Sequence, residues 1–223
     1  MPKISWNWLT YKPFALSAIA GIVAGAIVAL YVISGQDGKL LAGSTDEATC
    51  TAAEEKIAAV EPAIQGEVAA LIPAEPSQPL TDLSFNGPDG EMMSVADFSG
   101  KTLLINLWAT WCAPCRAEMP ALDELQADKG SDRFEVVAVN VDRGSDEKPQ
   151  AFLNEIGIQS LADYRDSSME IFNELKTRGL GLGLPVTVLV DEEGCLLAHM
   201  NGPAEWSSDD AQQLIEAALP SES

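Results

Sequence analysis

The chain has 223 residues, 13 Lys+Arg against 34 Asp+Glu and a formal net charge of −21. That length suits one ordinary domain with attachments, and the charge excludes the clustered cations a nucleic-acid phosphate surface needs. The single histidine, His199, rules out His-rich zinc or copper sites, so the chemistry rests on four cysteines, Cys50, Cys112, Cys115 and Cys195.

Residues 14–34 run without one charge, long enough to cross a bilayer core of ~30 Å at 1.5 Å per residue. Lys3 and Lys12 precede this run and the acidic excess follows it. Residues 1–13 are therefore expected in the cytoplasm and the rest of the chain on the far side. Trp6, Trp8, Tyr11 and Tyr31 lie at its edges, where interfacial aromatics belong. The run exceeds the ~7–15 apolar residues of a cleaved signal peptide, so it reads as an uncleaved anchor.

Residues 35–79 read as a helical extension and a linker. Ile57, Val60, Ile64, Val68 and Leu71 recur at steps of three and four, with Pro62 expected to break or restart the helix. Three prolines between Pro73 and Pro79 suggest an extended linker. The domain proper is expected over 80–220.

In that domain, Leu83 to Phe85 and Met92 to Val95 flank a turn-rich segment, a hairpin signal. Residues 102–108 and 135–141 are continuous apolar runs suited to strands buried on both faces. Residues 114–127 between them carry helix formers, giving a crossover and a parallel strand pair. Helical patterns recur at 148–156 and 168–176, and 186–191 with 195–200 forms a second hairpin. Ser207 with Asp210 gives a capping-box pattern before a closing helix at 211–219. The order predicts an α/β fold, a mixed central sheet with helices on both faces.

Trp111-Cys112-Ala113-Pro114-Cys115 lies where a buried strand ends and a helix begins. There Cys112 meets unpaired backbone N–H groups and the positive end of the helix dipole, which favour a thiolate over the free thiol with its pKa of ~8.5. Pro114 costs no hydrogen bond in the first turn, and a two-residue spacer lets the sulfurs bond. Cys112 is then the attacking thiol and Cys115 the resolving one. A zinc site lacks two further ligands, and a copper carrier needs a histidine near the pair.

The run from Asn106 to Pro120, NLWATWCAPCRAEMP, resembles the thioredoxin-like thiol:disulfide interchange proteins of the TlpA/ResA/CcmG group, which are anchored in bacterial cytoplasmic membranes. The resemblance covers residues 80–219, and residues 152–158 and 202–206 point to its TlpA branch. It implies a thioredoxin-like fold with an added N-terminal helical extension and a membrane anchor helix. It also implies that Cys112 is the exposed nucleophile, Cys115 the buried partner, Pro120 the helix-kinking proline and Pro185 the cis-proline beside the disulfide. Leu184 would pair its backbone with an incoming chain, and Glu118 would tune thiol protonation, although a glutamate on a helix is ordinarily part of a solvated face. A structural disulfide between Cys50 and Cys195 is likewise implied.

The function implied is a periplasmic reductase of client-protein disulfides, on the inner membrane of a bacterial cell, with no cofactor beyond the redox-active Cys112 to Cys115 disulfide. The clients implied are copper-site assembly factors, a cytochrome oxidase subunit or apocytochrome c, and the electron donor is a DsbD or CcdA-type membrane protein. The chain is expected to be a monomer. A copper metallochaperone and a DsbA-like disulfide oxidase are the alternatives. The sequence departs from cytosolic thioredoxins at Asn106, where those carry a buried aspartate, and at Val186, where a threonine is common.

Overall fold

The structure, a computed structural model, describes residues 50–219. The anchor expected at 14–34 and the cytoplasmic segment 1–13 lie outside the described residues, as does the first part of the extension. Among the described residues no helix is long and apolar enough to cross a membrane.

The centre is strand β4, Thr102–Trp108, all seven of whose residues are buried. It pairs in parallel with β5, Phe134–Asn140, and antiparallel with β7, Val186–Val190. Helix α2, Ala113–Lys129, makes the crossover between β4 and β5. A parallel strand covered on both faces needs apolar residues in succession, and the TLLINLW run supplies them. β8, Leu196–Asn201, continues the sheet beyond β7. On the other side lie β6, Tyr164–Arg165, then β2, Ser84–Asn86, and β3, Met92–Ser94. Helices α3, Glu147–Ile156, α4, Glu170–Thr177, and α5, Asp209–Ala218, complete the unit.

Three sequence expectations are corrected. The proline-rich segment is no linker. Ile72 and Pro73 form strand β1, opposite His199 and Ala198 on β8, and the chain stays on that edge through Ala74 N–H to Leu197 O and Leu196 N–H to Gln78 O. An edge strand needs donors on one side only, so proline is tolerated there.

The extension, second, is part of the domain. Its helix α1 spans only Ala53–Val60, and Pro62 restarts the chain as a short 3-10 turn. Val60, Val68 and Leu71 of the expected apolar stripe are buried, and α1 packs on α5 and β8. The core therefore begins about thirty residues before the expected boundary at residue 80.

Third, the cap of α5 is Ser208, whose Oγ accepts the Ala211 N–H, while Ser207 bonds Glu205 instead. The other elements fall within two residues of their sequence-based bounds, except β6, a two-residue strand that carries no periodic signal.

Candidate active site

β4 delivers the chain to the cysteine pair. After Trp108 the backbone leaves the sheet and Cys112 takes the N-cap position of α2, with Pro114 in the first turn. Cys112 and Cys115 are disulfide-bonded, with Cα atoms 5.3 Å apart. The Cys112 Sγ also accepts the Cys115 N–H at 3.3 Å, so a main-chain donor that the helix start leaves unpaired points at that sulfur.

Exposure divides the motif unevenly. Trp111 is 65% exposed, Cys112 5% and Cys115 fully buried. The expected exposed nucleophile is thus largely covered in the disulfide form. Only Cys112 of the two keeps a path to solvent.

The second wall of the site comes from the start of β7. Val186 pairs with Leu107 at the end of β4, so the residues just before β7 lie at the sheet end that carries the cysteines. The Leu184–Pro185 peptide bond is cis. Leu184 is half-buried and precedes the β7 ladder, which begins at Val186. Asn201, at the end of β8, fixes this loop by accepting the Leu182 N–H and donating to Leu180 O, and it leaves the Leu182 side chain 84% exposed.

Behind the disulfide stands Glu118, one helical turn beyond Cys115 and 3% exposed. One carboxylate oxygen accepts from Asn106 Nδ2 at 2.9 Å. The other accepts from Ala204 N–H at 3.2 Å and Trp206 Nε1 at 3.1 Å. Burial raises its pKa to about 7 against the downward pull of those three donors. A solvated helix face is therefore excluded for Glu118. Asn106 also donates to Thr187 Oγ1, and its own carbonyl oxygen is buried without a partner in the structure.

Sequence reasoning missed Asp142. Its carboxylate is buried and accepts the Thr110 N–H, the Thr110 hydroxyl and the Asn140 side-chain amide. This ties the loop carrying Trp111 to the end of β5. The signal available was an aspartate directly after an apolar strand, on the strand neighbouring the motif.

These elements match known proteins. A model of the Redoxin family matches residues 75–215. The chain belongs to the redoxin family. The thioredoxin-like protein YneN of Bacillus subtilis is 34% identical to this redoxin over 122 residues, 53% of this chain and 67% of that one. The thiol-disulfide oxidoreductase ResA of Bacillus thuringiensis is 28% identical over 145 residues, 65% and 76% of the two chains. Among solved structures, a Chlorobium tepidum protein assigned as the thiol:disulfide interchange protein DsbE is 26% identical, with a TM-score of 0.53 over 63% of this chain and 94% of its own. The redoxin is thus a thioredoxin-like protein of the TlpA/ResA/CcmG type, an enzyme of thiol:disulfide interchange.

The remaining cysteines and the histidine lie elsewhere in the redoxin. Cys50 and Cys195 form a disulfide that joins the chain ahead of α1 to the turn between β7 and β8. Beside it Lys56 reaches Glu193 at 2.6 Å, Glu192 at 2.7 Å and Asp191 at 3.4 Å. Burial pulls the Lys56 ammonium down, and the bonds to Glu192 and Glu193 outweigh it, pushing its pKa up to about 12. His199 sits on β8 between Val188 and Ile72, two strands from β4, and burial lowers its pKa. The structure does not bring it to the cysteine pair.

Proposed function

We propose that this redoxin is a membrane-anchored periplasmic reductase of client-protein disulfides, in which Cys112 attacks and Cys115 resolves. The observation that carries the reading is the Cys112 sulfur at the N-cap of α2, accepting a main-chain N–H. In the reduced protein that donor and the helix dipole favour the thiolate, the form that attacks.

The Cys112 thiolate attacks one sulfur of a client disulfide, forms a mixed disulfide and expels the other client sulfur, which takes up a proton. The Cys115 thiol gives up its proton and attacks Cys112 Sγ, which closes the Cys112–Cys115 disulfide and expels the second client thiol. Two electrons pass from the protein dithiol to the client. We assign to Glu118, one turn from Cys115 and with its pKa raised to about 7 by burial, the role of taking up the proton that Cys115 releases. Trp111, Leu184 and Pro185 flank the approach to Cys112, and an incoming chain pairs with the free backbone at Leu184.

A reducing direction is favoured because Ala113 and Pro114 put no cation between the cysteines, so the thiolate is not stabilised as it is in strong oxidants. A reductant in an oxidising compartment needs regeneration, for which a DsbD or CcdA-type membrane donor is suited. Copper-site assembly factors, an oxidase subunit or apocytochrome c are the client classes.

Expression of the Cys115→Ser full chain in a bacterial periplasm tests this reading. A client covalently held on Cys112 and released by dithiothreitol is the expected result. No trapped protein, with Cys112 still alkylatable, overturns it.

A further inference from the structure

In a chain of net charge −21 the unpaired cations stand out. Lys56, Lys101, Lys129, Arg165 and Arg178 each belong to an ion pair. Arg116 and Lys176 are exposed without an ion-pair partner among the described residues, and so are Arg143 and Lys148. Both line one open cleft of about 310 Å³, together with Thr110, Trp111, Ser145 and Met169. Trp111, the residue before Cys112, is a wall of that cleft, so one side chain separates the cleft from the cysteine turn.

The one carboxylate in the lining offsets part of this charge but is turned to neutral donors and pairs with neither cation. Asp142 is buried, and its two oxygens are taken by Thr110 and Asn140. Nearby Asp146 lies 3.9 Å from Arg165 and accepts from Gln150, and the exposed Glu147 is outside the lining. A third cation lies on α2: Arg116, one turn after Cys112, stacks over Phe152 at 4.8 Å. Phe152 lies one turn from Lys148 along α3.

We propose that this cleft receives the carboxylate of an aspartate or glutamate that flanks the attacked cysteine in the client polypeptide. The inference rests on Cys112 being the attacking thiol. Its argument is charge complementarity: the acidic body repels a client's acidic residues, and the cleft beside Trp111 offers them two cations free of internal partners. An extended chain advances ~3.3 Å per residue, so a side chain within about three residues of the client cysteine spans the Trp111 wall. Docking itself makes and breaks no covalent bond. It raises the encounter rate and sets the register of attack.

The test uses the reduced protein and a set of disulfide-containing peptides of one core sequence. Each peptide carries an acidic, neutral or basic residue within about three residues of the cysteine. The expected result is that acidic peptides are reduced roughly three- to ten-fold faster than basic ones at low salt, with the ratio shrinking as salt rises. In R143E/K148E the ratio inverts, and in R143Q or K148Q alone it falls part of the way, so the test survives a poorly folding double variant. Equal rates for acidic and basic peptides overturn the proposal, as does an acidic preference unchanged in every variant. Failure to reduce even the neutral peptide identifies the reductase reading as the part at fault.

Discussion

Asn106 on β4 and Glu118 on α2 meet as amide and carboxylate at 2.9 Å, both inside the protein. The second oxygen of the same carboxylate holds Ala204 and Trp206 in the segment before α5. One titratable group thus joins the central strand, the cysteine-bearing helix and the loop that closes over them. A proton gained or lost there is felt by all three, one turn from Cys115.

The first prediction concerns that proton. Burial brings Glu118 to about 7 in the fold, against an ordinary value of 4.5. Across that window the native protein keeps a proton that the unfolded chain has released. Stability therefore falls as pH rises through the window and levels off above it. Glu118→Gln has no such titration. The stability of the wild type relative to this variant, from urea denaturation, is expected to fall by about 3 kcal/mol across the window. A difference that stays flat with pH rejects the raised pKa.

Asn106→Asp puts a second carboxyl against the first. Two carboxylates in contact cannot both ionise cheaply, so the pair is expected to retain one proton above neutrality. The variant should lose about 2–4 kcal/mol at alkaline pH and less at acid pH, where the shared proton costs nothing. Denaturation at the two ends of the pH range measures the contrast. Equal losses at both ends point to packing rather than charge.

How much of this was legible in the sequence follows from what each residue is held by. Thr102 to Trp108 announced itself because a strand buried on both faces must be apolar throughout, and the cysteine spacing announced the site because its chemistry is local. Glu118 was ambiguous. On a helix a glutamate reads as solvated, and only the arrival of Ala204 and Trp206 from 86 and 88 residues away makes it a buried acceptor. The segment 73–79 was misread because prolines mark linkers and edge strands alike, and only β8 as a partner separates the two. Asp142 was missed for the same reason, since two of its three donors belong to Thr110, on a loop 32 residues earlier.

The Cys50–Cys195 disulfide and Lys56 fasten the extension to the β7–β8 turn through neighbouring contacts. Closing a loop with a sequence separation of 145 constrains the unfolded chain heavily. The Cys50→Ser/Cys195→Ser protein is expected to lose about 2–5 kcal/mol. Lys56→Ala should lose about 1 kcal/mol, as a partly exposed ion pair does. Since α1 lies against α5 and β8 rather than the cysteine turn, insulin reduction by either variant should stay near the wild-type rate below its unfolding transition. A large loss of that rate with stability intact would show that the extension reaches the active site.

Asp142 offers the sharpest separation of positioning from stability. Asp142→Ala leaves the Thr110 N–H and the Asn140 amide without their acceptor, an expected loss of about 1–3 kcal/mol. Asp142→Asn keeps one oxygen for the Thr110 N–H and should recover most of that loss. The Trp111 loop hangs from the same contact, so in Asp142→Ala formation of the mixed disulfide should slow several-fold even where the protein is fully folded. The rate should recover in Asp142→Asn in proportion to the restored bond. Thermal melts alone cannot distinguish a loosened loop from a weakened fold, whereas the rate of the first attack in native buffer can. If the alanine variant attacks its client at the wild-type rate while melting earlier, Asp142 supports the fold and has no hold on the geometry around Cys112.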